Sequence, residues 1–157
     1  MDNLPDNYEI DKLDRDIISI LMKDATESYT EIARKLTVSP GTIHVRMRKL
    51  TAIGAVVGSS LVVNPALFGF DLNAYLGIFL EKGSQYNKVI RELKKIPEVL
   101  EASYTTGQYS IFARIVCRNT RHMREVLNEK IQPIQGIQST ETFLILEESI
   151  RRQVVIQ

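Results

Sequence analysis

The spacing of apolar residues changes near residue 60 of this chain. In the first part they recur every three or four positions, the spacing that gathers side chains onto one stripe of a helix. Ile17, Ile18, Leu21 and Met22 form one stripe, which predicts a first helix beginning near Asp14, with Asp14 as cap and Leu13 stapled against Ile18. Ile32, Ala33 and Leu36 form a second stripe over residues 30–36, with Thr30 as cap. Ile43, Met47 and Leu50 form a third, opening on Ser39-Pro40 and closing at Gly54. Ser39 suits the cap position, Pro40 the first helical position, and glycine the left-handed residue that ends a helix. Residues 1–11 read as a loosely packed arm, and residues 55–63 (A-V-V-G-S-S-L-V-V) as a short wing or an extended linker strand before Asn64-Pro65.

Beyond this point the pattern alternates. Leu72, Ala74, Leu76, Ile78 and Leu80 share one face of a strand over residues 71–80, with Tyr75, Gly77 and Phe79 on the other. Residues 86–96 read as a helix with Val89, Ile90, Leu93 and Ile96 inward, stopped by Pro97. Residues 99–106 and 110–118 read as strands joined by a tight turn at Gly107-Gln108, the second strand turning Ile111, Ala113, Ile115 and Cys117 inward. A helix over 120–131 with Met123, Val126, Leu127 and Ile131 inward, a break at Pro133 and Gly136, and a last strand over 137–147 complete a β-α-β-β-α-β order. The fold class is thus α+β: a helix-turn-helix (winged-helix-like) domain over residues 1–62 and a ferredoxin-like domain over 63–157. One face of the sheet, carrying Tyr75, Phe79, Phe112 and Val116, has no helix to cover it and points to a self-partner.

Charge sharpens the reading of the third helix. The chain carries only +1 overall, but residues 30–65 hold five basic side chains against Glu31 alone, a local +4, and residues 1–29 hold three basic against eight acidic, a local −5. That distribution disfavours a general polyanion binder and favours a defined footprint on double-stranded DNA. The outward face of the third helix offers Gly41, Thr42, His44, Val45, Arg48 and Lys49, with Arg46 on the rim and Ser39 at the cap. Gly41 admits close backbone approach, Thr42 and Val45 suit base edges or a thymine methyl, and His44 and Arg48 suit base edges. Arg46 and Lys49 suit phosphates, which give affinity rather than sequence choice.

The remaining composition excludes more than it adds. No apolar run approaches the ~20 residues needed to span a bilayer, and the acidic N-terminus is unlike a secretory signal, so a cytoplasmic protein without membrane partner is expected. Cys117 is the only cysteine and reads as a packed core thiol. No metal-ligand cluster, G-x-S-x-G pattern or P-loop is present, and His44 and His122 fall in different predicted domains, so no catalytic residue, metal or cofactor is assigned and the chain is not expected to be an enzyme.

Several phrases together resemble the leucine-responsive/asparagine-responsive (Lrp/AsnC, feast/famine) family of transcriptional regulators. L-D-R-D-I-I-S-I-L, S-P-G-T-I-H-V-R and I-G-A-V-V-G are typical of its DNA-binding half. Y-T-T-G-Q-Y-S-I-F and I-Q-S-T-E-T look most like its asparagine-responsive branch, and the likeness covers residues 13–147. The resemblance implies a homodimer formed by sheet-on-sheet packing, assembly into octamers, and modulation of assembly or DNA affinity by an amino acid, asparagine being the first candidate. It also implies an effector site built from Tyr104, Thr105, Thr106, Gly107, Tyr109 and Ser110, with Gln138, Ser139, Thr140 and Glu141 from the start of the last strand. Backbone amides around Gly107 and threonine hydroxyls suit a carboxylate, and Glu141 or backbone carbonyls an ammonium. The competing readings are an architectural DNA-binding protein that answers to no effector and, further off, a regulatory subunit of a metabolic enzyme.

Overall fold

The computed structural model describes residues 8–156. Backbone contacts divide the chain into two units: one running to Val62 and joined by the tail from Ile150, the other Val63–Ser149.

The first unit holds three helices, α1 (Lys12–Lys23), α2 (Tyr29–Leu36) and α3 (Pro40–Ala52). Ile17, Ile32, Ala33 and Ile43 are buried at their centre, with Leu13, Ile20, Leu21, Leu36, Val38 and Met47 packed around them. Leu13, Ile20 and Leu21 rather than Ile18 and Met22 flank Ile17, so the inward stripe of α1 lies further round the helix than expected. The cap of α1 is Asp11, not Asp14. The Asp11 side chain accepts the Asp14 amide, and Asp14 at the third helical position accepts the Asp11 amide, a reciprocal capping box. Likewise α2 is capped by Ser28, which accepts the Glu31 amide, rather than by Thr30. Ser39 caps α3 by accepting the Thr42 amide, with Pro40 at the first position.

Thr37 makes the turn between α2 and α3 in the left-handed region, at φ 57°, a conformation that costs a residue with a Cβ roughly 1–2 kcal/mol. The Val38 amide closes that turn on the Ala33 carbonyl at 3.0 Å. After Gly54, itself left-handed at φ 76°, residues 56–64 run without ladder partners instead of forming the expected wing or strand. A β-branched run makes a strand only where another strand offers its edge, and none among the described residues does so here.

The second unit is a four-stranded antiparallel sheet in the order β2-β3-β1-β4, with β1 (Leu72–Leu80), β2 (Val99–Tyr104), β3 (Ile111–Cys117) and β4 (Ile137–Leu144). Helices α4 (Tyr86–Leu93) and α5 (Thr120–Glu125) bury Val89, Leu93 and Met123 with the inward faces of β1 and β3. A π-helical turn, Val126–Ile131, extends α5 and adds Val126 and Ile131 to that core. Register fixes the faces. Gly77 stands opposite Phe112 on β3 and Glu141 on β4, so Tyr75, Phe79, Ser139, Glu141 and Phe143 share its face, away from the helices.

Two expectations for this half are corrected. The β2–β3 connection spans residues 105–110, closed by the Thr105 amide on the Ser110 carbonyl at 3.2 Å, and is not a two-residue turn at Gly107-Gln108. The last strand ends at Leu144 rather than at 147. The tail from Ile150 packs with the first unit, where the Ser19 hydroxyl reaches the Ile156 carbonyl at 3.5 Å.

Candidate DNA-binding and effector sites

Helix α3 presents two kinds of flank around its outer face. Gly41, Val45 and Arg48 are exposed along the line opposite buried Ile43 and Leu50. On one flank His44 rests edge-to-face against Tyr29 of α2, ring centroids 4.7 Å apart, so its imidazole is oriented by a neighbouring helix while staying exposed. The Ser39 and Thr42 hydroxyls lie 2.9 Å apart and hydrogen-bond to each other at the helix start. Lys49 stands over the Tyr8 ring, its Nζ 5.4 Å from the centroid.

Arg46 lies on the flank facing α1 and is already engaged. Its Nη1 donates to Asp11 Oδ2 at 2.5 Å, Asp14 Oδ2 at 3.2 Å and the Tyr8 hydroxyl at 3.1 Å. The Tyr8 hydroxyl in turn donates to Asp14 Oδ2 at 2.7 Å. Asp14 is fully buried. Sequence reasoning missed Tyr8, Asp11 and Asp14 as partners of the recognition helix. The arm expected over residues 1–11 lies outside the described residues up to position 7, and from Tyr8 onward it is held by these bonds. The one available signal was the Asp11–Asp14 spacing, which is that of a capping box.

In the sheet unit the ten residues proposed for an effector divide between two faces. The Tyr109 hydroxyl donates to Glu141 Oε2 at 2.5 Å, joining the β2–β3 loop to β4 on the open face. The Thr105 hydroxyl donates to the Tyr109 carbonyl, and the Ser110 amide to the Ile78 carbonyl at 3.0 Å, which fix the loop above β1. Ser139 shares the face of Glu141, and Thr106 and Gly107 are exposed in the loop. The Tyr109 ring lies over Gly77, where any Cβ would come within 2.5 Å of it. It also meets Phe79, Phe112 and Phe143 at centroid distances of 5.1, 5.9 and 5.9 Å. The hydrogen bond from its hydroxyl to Glu141 holds the Tyr109 phenol above its ordinary pKa.

Tyr104 and Thr140 belong to the other face. Tyr104 packs on Tyr86 of α4 at 4.5 Å, and Thr140 accepts from Gln132 Nε2 at 3.2 Å. Gln138 is exposed at the start of β4. The structure therefore gathers Thr105, Tyr109, Ser110, Ser139 and Glu141, and separates Tyr104 and Thr140 from them. Gly77, which makes room for Tyr109, was not singled out from sequence. Among the described residues no cluster of His, Cys, Asp and Glu has the geometry for a metal, and no helix is long and apolar enough to cross a membrane.

Comparison with known proteins assigns both halves. Residues 10–51 match the AsnC-type helix-turn-helix domain, and residues 73–155 the Lrp/AsnC ligand binding domain. Regulatory protein AsnC of Escherichia coli K12 is 43% identical over 149 residues, covering 95% of this chain and 98% of that protein. The same-named protein of Haemophilus influenzae is 41% identical over 147 residues, covering 94% and 98%. The structure of E. coli AsnC superposes with a TM-score of 0.88 over 94% of this chain and 99% of that one. A transcriptional regulator from Neisseria meningitidis, solved as its L-Met complex, shares the fold at a TM-score of 0.86 and 18% identity, covering 92% and 94%. With an AsnC-type DNA-binding half, a ligand-binding half and relatives that are regulators rather than enzymes, this chain belongs to the Lrp/AsnC family of transcriptional regulators.

Proposed function

We propose that α3 enters the DNA major groove and that an amino acid, asparagine first among candidates, binds where the β2–β3 loop meets β4. In this reading Gly41, Val45 and Arg48 face base edges, His44 reads an edge from its perch on Tyr29, and Ser39, Thr42 and Lys49 engage the backbone. The observation that carries the effector site is the Tyr109–Glu141 hydrogen bond, which makes one polar surface of a loop and a strand distant in sequence. Glu141 accepts the effector ammonium, and the exposed amides around Gly107 with the Ser110 and Ser139 hydroxyls receive its carboxylate. The L-Met bound by the Neisseria regulator of like fold supports an amino acid as the class of ligand. The working assembly is a cytoplasmic homodimer packed through the aromatic face of the sheet, built up into octamers, and effector binding shifts assembly or DNA affinity.

The test is a thermal-shift screen of the full chain against the twenty amino acids. At 100 times its dissociation constant a ligand stabilises the folded state by roughly 2.7 kcal/mol. The expected result is a shift with asparagine that Glu141→Gln removes. No shift with any amino acid would leave the second half an assembly domain only. For DNA, Arg48→Ala weakens a selected operator more than random duplex, while Lys49→Ala weakens both alike. Equal losses for the two variants on both duplexes would overturn the assignment.

A further inference from the structure

We propose that Arg46 is a positioning residue, which locks the recognition helix to the first turn of α1 rather than gripping a DNA phosphate. The inference rests on α3 being the DNA-reading helix and goes beyond it by removing one of its cations from the contact surface.

Asp14 sets the requirement. A carboxylate with no solvent exposure needs a counter-charge, because an unpaired buried charge is far more costly than an exposed one. Arg46 supplies that charge, and its side chain is itself about three-quarters covered, at 27% exposure. The same Nη1 bonds Asp11, which caps α1, and Tyr8, whose hydroxyl returns to Asp14. One guanidinium therefore closes a ring through the arm, the cap and the third residue of α1, and ties it to the middle of α3. The hydrogen bond that Arg46 donates to Asp11, joined by that to Tyr8 and by the charge of Asp14, outweighs burial and raises the Arg46 pKa above its ordinary value. Drawing Arg46 onto a phosphate would strand Asp14 buried and leave Asp11 as a second uncompensated acid beside the duplex.

Position along the helix gives the lock its consequence. Arg46 lies one residue from Val45 and two from Arg48, so the rotation of α3 about its axis, which decides what those side chains meet, is fixed at this point. Tyr8 extends the control to the next turn, since Lys49 sits over its ring. The acidic first part of the chain, with its local −5, thus does more than oppose a polyanion: two of its carboxylates orient the helix that reads one.

The two roles for Arg46 predict opposite signs for Asp11→Asn. Asparagine caps a helix as well as aspartate does, so the variant removes a charge and leaves α1 started. The probes are a duplex selected from a random pool by the wild-type full-length protein and a random duplex of equal length, each titrated over a salt series. For a positioning residue, Asp11→Asn weakens the selected duplex by roughly three- to tenfold, the scale of one partly exposed charged hydrogen bond, and leaves random duplex unchanged. Arg46→Gln lowers the selected-to-random ratio further, with the salt slope preserved. A phosphate clamp would give tighter binding to both duplexes for Asp11→Asn, and a salt slope shallower by about 0.9 per subunit for Arg46→Gln. Either result overturns the proposal. If Arg46→Gln unfolds, the Asp11→Asn arm decides alone. Arg48→Ala and Lys49→Ala run alongside: indifference of both on both duplexes would overturn the placement of α3 on DNA, a failure distinguishable from that of the lock.

Discussion

Gly77→Ala is the substitution whose cost the structure sets most directly. A Cβ built at Gly77 meets three atoms of the Tyr109 ring at 2.5, 2.6 and 2.8 Å. Carbon atoms in contact prefer about 3.5–4.0 Å, so the ring must retreat by roughly 1 Å. The strand cannot yield, because β1 is paired on both sides, to Phe112 and to Glu141 at this residue. Tyr109 gives way instead, loses its 2.5 Å bond to Glu141 and loosens its packing on Phe79. Overpacking of this kind costs about 1–3 kcal/mol, and the lower end applies here because the ring swings toward solvent. Thermal denaturation should fall by about 2–4 °C per kcal/mol for a chain of this size. The same substitution in a Tyr109→Ala background should cost little, since alanine leaves the space open. An equal loss in both backgrounds would refute the steric account, and an unchanged amino-acid response in Gly77→Ala would refute the placement of Tyr109 in the effector site.

Further outcomes follow from the two cores and from the buried polar groups. Ile43→Ala removes most of a fully buried side chain from the centre of the helical unit and should cost about 2–5 kcal/mol, abolishing DNA binding while strand amides of the sheet stay protected from exchange. Glu98 is pushed up by burial, but Lys130 Nζ at 2.7 Å, backed by backbone and His122 bonds, outweighs this and holds it below its ordinary 4.5. The stability it contributes is present above pH 4.5 and lost as pH falls through the lower folded value. Lys130→Met should therefore destabilise at pH 7, with the gap to wild type closing below pH 4.5 in urea titrations; a constant gap would contradict this. Burial, and then the charge of Glu98, push the Cys117 thiol up to about 11, so it should resist alkylation at pH 8 until the sheet unit is unfolded.

The stripes that built both cores were legible because burial enforces them through the period of the element. Ile17, Ile32, Ile43 and Leu50, and the alternating set from Ala74 to Leu80, lie inside as their spacing required. The cap of α3 at Ser39 was legible, but those of α1 and α2 were not legible to the residue. Asp11 and Asp14 are chemically equal candidates, and their three-residue spacing suits both places of one capping box, in which Asp11 takes the cap and Asp14 the third helical position. The same holds for residues 55–63. Their β-branched composition is a preference for a half-buried pleated surface, and a preference becomes a strand only with a ladder partner. The six-residue β2–β3 loop escaped notice for a related reason: glycine beside a polar residue signals a turn, but the length of the turn depends on where Thr105 and Ser110 find each other.

The effector site shows how far alternation alone can carry a polar segment. Ser139, Thr140 and Glu141 read as one hydroxyl- and carboxyl-bearing run, yet in any strand the middle residue faces away from its neighbours. Period two thus already divides the run, but it does not say which side is open. The register of β4 on β1 does, by placing Glu141 opposite Gly77 and Thr140 opposite Ile78, whose side chain is fully buried beneath the helices. Glycine at that one position then lets the Tyr109 ring lie over the sheet and bring its hydroxyl to the carboxylate. The proposed site accordingly draws on Tyr109, Ser139 and Glu141, which the loop and the strand bring to one face. Tyr104 and Thr140 lie on the opposite face, where they meet Tyr86 and Gln132 instead.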